Sequence, residues 1–176
     1  MARGTMAVLI GIAMTSSTFA GALDAQTSAG DPVLGVWVLN MERSVWSPGP
    51  RPANGLLRRY ATLDGGWMRF TQTGIGPEGG PTFQISVFKL DGQRHPVHNV
   101  VTLGALMSTG RPSNLTRSFR VIDARTTEST TYTDGVAGIP VVRAVQADGR
   151  TMIETTRGTD AQGVAINNVL VWDRVQ

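Results

Sequence analysis

Nine short strand-like runs, at residues 34-40, 55-63, 66-74, 82-90, 114-122, 126-133, 139-146, 150-157 and 165-174, constrain this 176-residue chain more than any other feature. Turn chemistry separates many of them. Asp64-Gly65-Gly66, Asp91-Gly92, Asp148-Gly149 and the loop from Gly158 to Gly163 supply residues that tolerate positive φ. No long amphipathic helix competes with this pattern, so it predicts an antiparallel sandwich or an up-and-down barrel.

Alternation within the runs assigns faces. Phe83, Ile85 and Val87 share one side opposite Gln84 and Ser86, and Leu115, Phe119 and Val121 share one opposite Thr116, Ser118 and Arg120. The apolar sides are expected to face inward. In the last run Val169 and Val171 back onto Leu170 and Trp172, a pattern suited to a strand covered on both faces or closing a barrel. Two segments break the rhythm. Residues 41-54 carry Pro48, Pro50 and Pro52 and are expected to form an ordered crossing loop. Residues 97-113 hold the apolar stretch Val100 to Met107, which suits a short helix, a further strand or a flap over a barrel mouth.

The N-terminus combines Arg3, the apolar run Ala7 to Met14, and small or polar residues through Ala25. This is the form of a secretory signal peptide, and its apolar core is too short for a permanent membrane span. Residues 1-25 are therefore read as a signal, 26-32 as a linker and 33-176 as a single barrel domain in a periplasmic or secreted protein. Without cysteine there can be no disulfide, thiolate nucleophile or cysteine ligand for zinc. The net charge of +3 comes from arginines scattered along the chain, with Lys89 the only lysine, and no basic stripe with interleaved aromatics suggests nucleic-acid binding.

Catalytic signals are sparse. Ser44 and Ser47 lie in no nucleophile elbow, and the loop from Gly74 to Gly80 lacks the lysine of a phosphate-binding loop. His95 and His98, the two histidines, stand at a spacing that puts them on opposite faces of a strand, although a turn at Pro96 could bring them together. Neither a metal nor a cofactor is implied. The inward parity of Arg117 and Arg143 is more informative: either side chain lies near a barrel end and reaches water, or it is buried and needs a carboxylate from the protein or a ligand. Glu128 and Glu154 are the internal candidates, and an anionic head group such as a fatty-acid carboxylate is the external one.

Several separate stretches carry a family likeness: Gly35-x-Trp37-x-Leu39-Asn40, Arg43-Ser44, Ser47-Pro48-Gly49-Pro50, Asp91-Gly92 with Pro96-Val97, Ile122-Asp123-Ala124-x-Thr126, Gly158 to Gly163, and Asn167-Asn168-Val169. Through them the chain resembles small exported bacterial proteins with lipocalin-like or calycin-like barrels. The resemblance implies an up-and-down barrel of about eight to ten antiparallel strands. It also implies a floor closed by Trp37 beneath Arg174, a pairing that cation–π attraction favours. Arg94-His95-Pro96 departs from the family, where a Tyr is expected before the Pro, and so does the long apolar stretch after Val97.

These readings converge on a non-catalytic barrel that binds a small apolar or anionic amphipathic ligand. Met68, Phe70, Phe83, Phe119, Arg117, Arg143 and His95 are the candidate ligand-binding residues. An envelope scaffold with a filled barrel, or a barrel isomerase or hydrolase using His95 and His98, are the alternatives.

Overall fold

Eleven strands form a single antiparallel sheet: β1 (Gly35–Val45), β2 (Leu57–Leu63), β3 (Trp67–Ile75), β4 (Pro81–Phe88), β5 (Arg94–Asn99), β6 (Leu115–Asp123), β7 (Thr126–Thr133), β8 (Val136–Ala137), β9 (Val141–Val145), β10 (Thr151–Thr159) and β11 (Ala165–Val175). The computed structural model describes residues 30–49, 51, 54–76, 79–99 and 114–175. The expected signal peptide, most of the linker and the apolar stretch 100-107 lie outside them. Each strand of the ring pairs with its neighbours, β1 pairs with β11, and the β6–β7 pairing completes a closed ten-strand barrel to which the two-residue β8 adds an edge on β7.

Closure gives every strand of the ring a partner on each side and leaves its backbone donors and acceptors within the sheet. Aspartates begin four of the tight connections. The Oδ1 atoms of Asp91, Asp123, Asp148 and Asp160 accept the backbone N–H of Gln93, Arg125, Arg150 and Gln162, two residues on, at 2.8–2.9 Å. This local bond is why Asp serves as a turn former.

Two departures from the sequence pattern have physical causes. The expected crossing loop begins later than the sequence suggests, because β1 continues to Val45 around a bulge: Asn40 pairs with Val171 and Val45 with Val169. Polar side chains bridge the irregularity. Ser44 Oγ donates to Asn40 O at 2.6 Å and accepts the Val171 N–H at 2.9 Å, while Asn168 Oδ1 accepts the Ser47 N–H at 2.9 Å. The second departure is β5, where Pro96 argues against a strand. Residues Arg94, His95 and Pro96 pair with β6, whereas Val97, His98 and Asn99 pair with β4. Pro96 thus stands where one ladder gives way to the other, so its missing N–H interrupts neither for long.

The apolar core occupies the end of the barrel where the chain enters. Val33, Trp37, Leu39, Tyr60, Met68, Phe70, Phe88, Phe119, Val145, Met152 and Trp172 form one buried cluster. Burying each large side chain contributes roughly 1.5–3 kcal/mol, so this end of the barrel is a stabilising plug. Below it, the Arg174 guanidinium lies 4.2 Å over the Trp37 ring and donates to the carbonyls of Leu34, Pro32 and Gly149. The Trp37 indole N–H donates to Val33 O at 2.7 Å.

The inward face of β4 corrects the sequence reading. Phe83 is 37% exposed and lies on the outer side with Val87, while Ser86 and Phe88 are buried inside and Gln84 faces the interior cavity. Hydropathy misassigns this strand because the interior beyond the core is polar.

Candidate functional site

Beyond the plug, the interior opens into a cavity of about 270 Å³ lined by three arginines, Arg58, Arg117 and Arg143, and one carboxylate, Glu154. Each comes from a different strand, β2, β6, β9 and β10, at a position whose parity points it inward. Tyr60, Phe70 and Phe119 line the cavity and also belong to the core, so they mark the boundary between the two halves. Gln72, Gln84, Thr127, Ser129, Thr131 and Thr156 make the remaining wall largely polar.

Aromatic faces carry the guanidiniums. Arg58 lies 3.9 Å from the Trp172 ring centroid and 5.4 Å from that of Phe70; Arg143 lies 4.6 Å from Tyr60 and Arg117 5.9 Å from Phe70. Such contacts contribute about 0.5–2 kcal/mol and lower the cost of removing a cation from water.

Hydrogen bonding divides the three arginines. Arg58 pairs with Glu154 and donates from Nε to Gln72 Oε1 at 2.6 Å. The other Glu154 oxygen accepts the Trp172 indole N–H at 3.2 Å. Among the described residues Arg117 has only neutral acceptors, Thr131 Oγ1 at 2.8 Å and Gln84 Oε1 at 3.2 Å. Arg143 is 5% exposed, and its buried Nη2 has no hydrogen-bond partner among the described residues.

The titrations follow this arrangement. Burial disfavours the Glu154 carboxylate, but the charge and hydrogen bond of Arg58, with the charges of Arg143 and Arg117, outweigh it and hold Glu154 below the ordinary glutamate range. Burial also opposes the Arg58 cation, yet Glu154 and Tyr60 raise its value. Arg117 is lowered, first by burial and then by repulsion from Arg58, with a further contribution from Arg143.

The other candidates lie elsewhere. Met68 is in the core plug and is not among the residues lining the cavity. His95 is buried near the β4–β5 turn, with Nε2 3.1 Å from Asp91 Oδ1 and its ring edge-on to Trp67. His98 is exposed on the opposite face of β5, so the two rings do not converge. Glu128 points outward and accepts from Arg120 Nε at 2.8 Å. Arg58 was missed by the sequence reading because Leu57-Arg58-Arg59 has no inward hydropathy signal; its parity with Tyr60 was the available clue. Among the described residues, no group of three or more His, Cys, Asp or Glu gathers to hold a metal ion.

Fold and site together define a small closed antiparallel β-barrel with an apolar end and a charged interior. Its backbone is similar to that of the fluorescent protein UnaG: a TM-score of 0.51 to the wild type at 15% identity, covering 81% of this chain and 96% of that one, and 0.52 to a point mutant at 15% identity, covering 82% and 97%. A more distant likeness, with a TM-score of 0.42 at 11% identity over 86% of this chain and 68% of the other, is to the tryptamine complex of the amine binding protein of Rhodnius prolixus. No protein-family model matches the chain, and no curated protein matches it by sequence.

Proposed function

We propose that this protein is an exported, non-catalytic barrel that binds a small amphipathic molecule by its acidic head group. The observation that carries the reading is the unpartnered Nη2 of buried Arg143, in a cavity where three guanidiniums face a single carboxylate. An unpaired buried cation is costly, and an incoming anion supplies both the charge and the missing acceptor. Phe70 and Phe119 offer apolar wall beside the head group.

Export rests on the signal-like residues 1-25 and on the resemblance to exported lipocalin-like proteins, and it places the protein in the periplasm or outside the cell. On this reading residues 26-32 link the signal to a single domain. Binding is the preferred role because Glu154 is tied to Arg58 and held in its charged form, which leaves it poorly suited to deliver a proton.

The test is titration of the purified protein with small carboxylic and phosphoric acids, followed by calorimetry and by fluorescence of Trp172, which lies beside Arg58. Arg117→Gln and Arg143→Gln are each expected to weaken binding about tenfold or more, the size of one charge-assisted hydrogen bond. Unchanged affinity in both folded variants would overturn the reading.

A further inference from the structure

We infer that the interior ligand is a compact dianion, with the chemistry of a phosphate monoester or a dicarboxylate, in place of a single-headed alkyl acid. This rests on the reading of the cavity as an anion site and narrows it by charge count, wall chemistry and shape. Arg58 and Glu154 neutralise each other through direct contact. Among the described residues Arg117 is held by the neutral oxygens of Thr131 and Gln84, Arg143 has an unpartnered Nη2, and the cavity lining holds no second carboxylate, so two positive charges remain there without a counter-charge. A monoanion would neutralise one and leave the other buried and unpaired; a dianion neutralises both.

The walls point the same way. Gln72, Gln84, Ser129, Thr131 and Thr156 outnumber Val141 and Leu170 on the non-aromatic wall, and their amide and hydroxyl groups suit the several acceptor oxygens of a doubly charged head better than a methylene chain. Toward the chain's entry end Trp172, Met152, Phe88 and Met68 are packed and fully buried, and they leave no space between them for an alkyl tail. At about 270 Å³ the cavity falls just below the roughly 300–1,000 Å³ of drug-sized ligand sites, so the ligand is small. The aromatic faces of Tyr60, Phe70 and Phe119 can pack against a flat body attached to the charged head.

Isothermal titration at pH 8 with phenyl phosphate and phthalate as dianions, and benzoate and octanoate as monoanions, tests the inference. At least one dianion is expected to bind about tenfold more tightly than either monoanion, reflecting the second charge-assisted contact. Stronger phenyl phosphate binding assigns a phosphate ligand, and stronger phthalate binding a dicarboxylate. Phenyl phosphate affinity should fall from pH 8 to pH 5 as the ester regains its second proton near a pKa of about 6, while benzoate affinity stays level. Arg117→Gln should bring the dianion-to-monoanion affinity ratio close to one. Benzoate or octanoate binding as tightly as both dianions overturns the dianion inference and leaves the anion site standing. No binding of any of the four by folded protein overturns both.

Discussion

Arg58 and Glu154 pair inside the barrel against a shared third group: the guanidinium lies 3.9 Å from the Trp172 ring centroid, and the carboxylate accepts that residue's indole N–H at 3.2 Å. Removing one member of such a buried pair leaves an uncompensated charge. Glu154→Gln is therefore expected to destabilise the fold by about 3–5 kcal/mol in urea denaturation. The double variant Arg58→Met with Glu154→Leu should lose clearly less than the sum of the two single losses. Strict additivity would show that the two residues are not coupled.

The same pair predicts acid sensitivity. Burial opposes the Glu154 carboxylate, but Arg58, Arg143 and Arg117 together depress its folded-state value below that of the unfolded chain. Its contribution is thus fully present above the ordinary glutamate value of about 4.3 and is lost as pH falls through the depressed folded value. Asp91, Asp123 and Asp148 are depressed as well and act in the same direction, but they remain in a Glu154→Gln variant. Urea midpoints measured from pH 7 to pH 2 should fall less steeply below pH 4 in Glu154→Gln than in the parent protein. Equal slopes would remove Glu154 from the acid response.

Gly35 explains why a glycine precedes Trp37 at the barrel floor. Its φ is +118°, and a Cβ built there would meet Arg174 Nη1 at 2.7 Å, so an added methyl both strains the backbone and displaces the guanidinium. Gly35→Ala should cost about 1–3 kcal/mol of stability. In a double-mutant cycle, Arg174→Ala and Trp37→Phe should be coupled by about 0.5–1 kcal/mol, the size of a partly exposed cation–π contact. Additive losses would show that the 4.2 Å approach contributes no energy of its own.

The sequence made the barrel legible because its signals were local: Asp and Gly at the turns, short alternating runs between them, and the Gly35-x-Trp37 opening. The aspartates then act through bonds to the N–H two residues on, a geometry their own neighbourhood determines. The polar chamber was harder to read. Parity allowed Arg117 and Arg143 an inward position beside one at a barrel end reaching water, but Arg58 lies in a run without alternation, and its partner Glu154 is 96 residues away along the chain. β5 was hidden by Pro96, whose usual exclusion from a strand is relaxed where the strand exchanges one partner for another. The inverted face of β4 follows from the chamber itself, since a polar interior reverses the rule that places apolar side chains inside.

That inversion gives the last prediction. Phe119 stacks on Phe88 with ring centroids 3.8 Å apart and lines the cavity, whereas Phe83, the residue with the same inward expectation from sequence, lies on the outer surface. Phe119→Ala should remove about 3–5 kcal/mol of stability through lost burial and the void left beside Phe88. Phe83→Thr should stay within about 0.5 kcal/mol, because threonine suits an exposed strand position and no core contact is lost. Anion affinity should be unchanged in Phe83→Thr. A large loss of stability or binding in that variant would place β4 with its other face inward, and with it Gln84 outside the chamber where it now accepts from Arg117.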